Sequence, residues 1–198
     1  AGPDAACGNP LLACLMANVP LGDPALERFL TAARRGFLLD IVPSDHPVAE
    51  VSPTQLSFLC ALAQQCFINE YLFAADEDEL EAAGRLRERI GAALGSGGPV
   101  SASEVALLAA YFPLGDVLGD GPGNGASAAL LLQRPAPLSA VLEQQFDEPR
   151  RERALRAEIR PLTAVDDGVS RQVRQQYEEN PYPRWVKCPT NVTAATVD

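Results

Sequence analysis

The chain is poor in the side chains that most enzymes use. Its 198 residues hold one histidine, one lysine, one methionine and one tryptophan, and no apolar run reaches the roughly eighteen residues needed to cross a bilayer. With a single histidine, His46 in the proline-bounded turn Pro43 to Pro47, zinc chemistry has few ligands. A Ser-His-Asp arrangement has only that one imidazole to use. Nothing alternates apolar and polar long enough for a strand, which excludes β architectures. No basic stripe is present to neutralise phosphates, so nucleic acid is not an expected partner, and neither is a membrane. No signal peptide is visible, since the first ten residues lack a basic start. The first residue is Ala1 and the sole methionine is Met16, so the chain reads as a processed or excised fragment.

What is present describes a soluble helical protein. The composition is 47% hydrophobic and 21% charged, enough to bury one core. The five cysteines match neither a disulfide framework nor a zinc spacing, and Cys14, Cys60 and Cys66 sit among apolar neighbours. That usage points to a reducing, cytoplasmic compartment. Charge divides unevenly: residues 1–147 sum to −11 and residues 148–198 to +1, within a net −10.

Helix starts are well marked. Asn9-Pro10 precedes a short apolar helix over Leu11 to Ala17, and Asp23-Pro24 supplies an N-cap and an N1 proline for a helix to about Asp40. Ser52 and Gln55 form a capping box that opens a helix to about Ala74; apolar on most of its circumference, it should be central. Asp76 with Glu79 reads as another capping box, for a helix to about Leu94, and Ser101 with Glu104 as one for a helix to about Phe112. After a glycine-rich break over Gly115 to Gly125, Pro137 to Phe146 and Pro149 to about Ile159 read as two helices, with a last one from Val169 to about Glu179. The expected fold is all-α, an irregular multi-helix bundle over residues 1–160, followed by a helix and an extended proline- and aromatic-rich arm over 161–198.

Three features could carry function. The glycine-rich segment lacks the preceding strand and the Lys-Ser/Thr of a phosphate-binding loop, and reads as an inter-helix connection. Gln65, Asn69 and Glu70 lie among apolar residues of the central helix; they would serve either as a hydrogen-bonded lock between helices or as the polar wall of a ligand pocket. The stretch from Gln175 to Val186 is the most distinctive. Pro181 ends the last helix near Asn180, and Pro181 with Pro183 holds an extended path that carries Tyr177, Tyr182 and Trp185, with Arg184 between the last two. Such an arm either wraps back on its own bundle or covers another surface.

The residues from Tyr177 to Trp185, Tyr-Glu-Glu-Asn-Pro-Tyr-Pro-Arg-Trp, preceded by Ile159 to Thr163 and Asp166 to Ser170, resemble a segment of bacterial class I S-adenosylmethionine-dependent methyltransferases. In that family, often linked to tetratricopeptide repeats, the segment lies just upstream of the catalytic domain. Phe58 to Tyr71 is similar to the long helix of the family's preceding helical region. The family's glycine-rich cofactor loop has no counterpart before Asp198. The resemblance therefore implies a helical accessory region and connector that is not catalytic alone, with its partner, the methyltransferase domain, beyond this chain. It implies S-adenosylmethionine as the cofactor of the full-length protein, with none held by this chain. It also implies that Tyr177, Asn180, Pro181, Tyr182, Arg184 and Trp185 line a cofactor or substrate cleft as part of a lid or substrate-selecting wall. The alternative is an interaction or dimerisation module in which the aromatic arm docks a partner protein or a second copy of the chain.

Overall fold

A computed structural model of the chain describes residues 6–42, 51–118, 134–159 and 168–179. Every regular element among them is helical. In chain order these are α1 Pro10–Asn18, α2 Pro24–Ile41, α3 Pro53–Ile68, α4 Glu77–Ser96, α5 Ala102–Ala109, α6 Leu114–Leu118, α7 Ala136–Leu142, α8 Glu148–Glu158 and α9 Gly168–Glu179, with a π-helical segment, Glu143–Asp147, joining α7 to α8. The chain divides into two compact units, Ala1–Ala157 and Glu158–Asp198.

The helix starts follow the local chemistry of their caps. Asn9 accepts from the backbone amides of Leu11 and Leu12, and Asp23 from those of Ala25 and Leu26. Ser52 and Gln55 close a reciprocal box, as do Ser101 and Glu104. Each box satisfies amides that a helix start would otherwise leave orphaned.

The centre is α3. Ten of its side chains, from Phe58 to Ile68, are buried, and it packs against α1, α2, α5, α7 and the π segment. A helix apolar around most of its surface has to be wrapped by others, and this one is. Phe58, Leu59 and Leu62 of α3 share one core with Leu30 and Leu38 of α2, Leu86 and Ile90 of α4, Leu107 and Leu108 of α5, and Leu138 and Val141 of α7.

The structure departs from the sequence reading in four places. First, α3 stops at Ile68 rather than near Ala74. The Glu70 amide donates to the Phe67 carbonyl and the Tyr71 amide to the Cys66 carbonyl, the paired bonds of a Schellman turn. Glu70 and Tyr71 both occupy left-handed backbone, at φ 58° and 60°. Neither is glycine, so no local signal marked the stop, and each position costs about 1 kcal/mol.

Second, α7, the π segment and α8 are one continuous helical run, not two helices. Pro149 has no N–H to donate, and its ring would strike the Gln145 carbonyl in a regular α-helix. Widening to π geometry, in which the Glu148 amide reaches the Glu143 carbonyl, carries the chain past it.

Third, Gly115 lies inside the short helix α6, so the first residues of the glycine-rich segment are helical; the rest of that segment is outside the described residues. Fourth, α5 ends at Ala109, where the Ala110 and Tyr111 amides turn back to the Leu107 and Leu108 carbonyls in a tightened turn.

Two glycines of α4 give opposite expectations. Gly97 caps the helix at φ 74°, whereas Gly91 is exposed within it and an added Cβ would meet no atom within 4 Å. In urea titrations Gly97→Ala is expected to lower unfolding free energy by about 1 kcal/mol, and Gly91→Ala to raise it by about 0.5–1 kcal/mol. A gain in Gly97→Ala would show that the cap is not left-handed in solution.

Candidate functional site

Along α2 the buried positions are Leu30, Arg34, Leu38 and Ile41, an apolar stripe with an arginine in it. Arg34 is 2% exposed and would be costly without partners. Its Nε and one terminal nitrogen donate to Oε1 of Glu79, at 3.2 and 3.0 Å. The same terminal nitrogen also donates to the carbonyl of Ala74 at 2.9 Å. The Tyr111 hydroxyl donates to that Glu79 oxygen at 2.6 Å, and the guanidinium carbon lies 4.4 Å from the centre of the Tyr111 ring.

Arg34 of α2, Glu79 of α4 and Tyr111 just past α5 thus meet at one carboxylate oxygen, and Arg34 ties the turn before α4 to them through the Ala74 carbonyl. This corrects the assignment of Glu79 to a capping box: Asp76 accepts from the Glu79 amide at 2.8 Å, but the Glu79 side chain turns inward to Arg34. Burial, then the bond to Glu79, pushes the Tyr111 hydroxyl well above its usual range.

Cys66 of α3 stands beside the same guanidinium, yet burial pushes its thiol up to about 12 against that pull, and burial does the same to Cys60. In both, burial disfavours the thiolate that nucleophilic or metal-binding chemistry uses. Among the described residues no group of acidic, histidine or cysteine side chains is placed to hold a metal ion.

A second polar node holds the π segment. Buried Gln145 donates to the carbonyls of Ala63 and Ala109 at 3.0 and 3.1 Å, and its Oε1 lies 3.3 Å from the Tyr71 hydroxyl. The strained turn after α3 and the π distortion therefore meet in one side-chain contact.

Gln65, Asn69 and Glu70 do not converge on a shared site. Gln65 is fully buried, and with its amide nitrogen turned toward α1 it donates to the carbonyls of Met16 and Val19 at 3.0 and 2.8 Å and accepts from the Leu21 amide at 3.3 Å. That geometry is a lock between helices. Asn69 caps the C-terminus of α3 with its Oδ1 enclosed and without a hydrogen bond, and Glu70 is exposed at its left-handed position.

Tyr177 lies on α9, 64% exposed. Asn180, Pro181, Tyr182, Arg184 and Trp185 lie outside the described residues, as does His46. Sequence reasoning missed Arg34, Glu79, Tyr111 and Gln145. The signal that could have found the first was an arginine four residues from Leu30 and from Leu38 on the apolar stripe.

No family model matches the chain, and no curated protein or solved structure matches it. No helix among the described residues is long and apolar enough to cross a membrane.

Removing one member of the buried pair should cost far more than removing both. Glu79→Ala is expected to lose about 3–5 kcal/mol by stranding the Arg34 charge, while the double variant Arg34→Met, Glu79→Leu should recover most of that in a denaturation cycle. Additive losses would mean that the two groups do not interact.

At the surface, Asp76 pairs with Arg35. The Glu79 backbone amide, then the Arg35 guanidinium, hold its carboxyl below the usual carboxylate range. A depressed carboxyl stabilises the fold above its unfolded pKa and loses that contribution as pH falls through the folded one. The stability difference between the wild type and Asp76→Asn should therefore be present at neutral pH and fade below about pH 4 in acid titrations followed by circular dichroism.

Proposed function

We propose that the chain is a helical accessory region of an S-adenosylmethionine-dependent methyltransferase, supplying a lid or substrate-selecting wall and not turning over substrate by itself. The observation that carries this reading is α9. It is strongly amphipathic, with Val173 and Tyr177 at i and i+4 on one side, yet these are 45% and 64% exposed. An apolar stripe left open on a helix calls for another surface to cover it. Its last residues run into the Tyr177 to Trp185 motif that resembles the connector of that family.

The first unit supports an accessory role in a different way. Its buried polar side chains Arg34, Glu79, Gln65 and Gln145 have hydrogen-bonding partners inside the bundle, as a scaffold requires.

Two measurements test the reading. The coding sequence downstream of Asp198 should continue into a strand followed by Asp/Glu-x-Gly-x-Gly-x-Gly, and an open reading frame ending at Asp198 would overturn the proposal. Calorimetric titration of the 198-residue chain with S-adenosylmethionine should give no saturable heat; micromolar binding would mean that the chain holds the cofactor itself and is more than an accessory region.

A further inference from the structure

One face of α2 carries Phe29, Ala33, Gly36, Phe37 and Asp40 at helical spacing, so two large rings bracket two small residues. The small residues leave a hollow between α2 and the start of α3. The cleft has a volume of about 410 Å³, within the usual range for small-molecule sites, and Phe58 lines it from α3. Phe58 meets Phe29 edge to face with centroids 6.4 Å apart and lies 6.1 Å from Phe37. Phe58 is buried, whereas Phe29 and Phe37 are only half-buried. An added Cβ at Gly36 would meet no atom within 4 Å.

The described lining of the hollow carries charge of one sign. Among the described residues that line it, Asp40 is the one charged side chain. Asp40 also sits one residue from the C-terminus of α2, where the helix dipole presents its negative end. Aromatic faces carry negative charge as well and attract cations. We propose that this cleft binds a small organic cation with an apolar body, its positive group toward Asp40 and its body against Phe29, Phe37 and Phe58. The net charge of −10 favours the approach of such a ligand and disfavours an anion. The inference stands independently of the methyltransferase reading.

The full chain, labelled with nitrogen-15, should be titrated with benzyltrimethylammonium, neutral benzyl alcohol and benzoate while the amides of Gly36 to Asp40 are followed by NMR. The cation is expected to give saturable shifts there and to bind about tenfold or more tightly than benzoate, with the alcohol between them. Asp40→Asn should bring the cation's advantage over the alcohol down to about threefold or less, because ring attraction remains when the carboxylate is gone. Gly36→Leu should abolish saturable binding without lowering the melting temperature, since its side chain enters open space in a helix that glycine disfavours. Equal binding of benzoate, absence of saturation by the cation, or full affinity in Gly36→Leu would each overturn the assignment.

Discussion

The bundle is organised around one buried carboxylate oxygen. Glu79 Oε1 takes two donors from Arg34 and one from Tyr111, and Arg34 in turn ties down the carbonyl of Ala74. A buried ion pair is a poor source of net stability, because desolvating two charges offsets most of their attraction, and apolar side chains of equal volume would stabilise as well or better. Its contribution is selectivity of arrangement. Apolar faces of α2 and α4 can slide against each other at small cost, but a turn or rotation of either helix strands a charge out of water. Every packing alternative that separates Arg34 from Glu79 is thereby penalised by stranding a buried charge, a cost that sliding one apolar face over another does not carry.

The same logic recurs on a smaller scale around α3. Gln65 fixes the end of α1 on one side, and Gln145 fixes the π segment on another by reaching carbonyls that lie far from it in the chain. Both local distortions of the fold border the second of these nodes. The left-handed pair Glu70 and Tyr71 brings the Tyr71 hydroxyl to Gln145, and the π segment contains Gln145 itself. Strain of this kind persists only where surrounding contacts over-determine the backbone. Here those contacts are a hydrogen-bonded amide and the ring contact of Phe67 with Tyr71 at 6.4 Å.

Capped helix starts and most helix ends were readable from the sequence to within about two residues, whereas the ends of α3 and α5 and the join at Pro149 were not, for a physical reason. An N-cap is a side chain that bonds amides two or three residues away, so Asn9, Asp23, Ser52 and Ser101 announce themselves locally. Among the described ends, α4 stops at the left-handed Gly97 and α9 stops at Glu179, two residues before Pro181, both as local rules expect. The end of α3 depends on where Tyr71 can reach, and the join at Pro149 on a π turn packed over Ala63 and Ala109; both are tertiary. Glu79 was misread for a related reason. Its spacing from Asp76 satisfies the capping pattern, but a partner forty-five residues away in the core outcompetes the local amide. The central placement of α3 was legible because burial on all sides leaves a compositional mark on every face of a helix.

The two parts of the chain handle polarity in opposite ways. In the first unit Gln65 and Gln145 bond backbone carbonyls and Arg34 and Glu79 bond each other, so these four buried side chains are engaged inside the bundle. In α9 the described polar side chains are exposed, and the apolar pair Val173 and Tyr177 is exposed with them. A twelve-residue helix with so little buried surface is marginal alone in water, since its nucleation cost is recovered only by packing. The amphipathic pattern of α9 is one that packing against an apolar surface would stabilise.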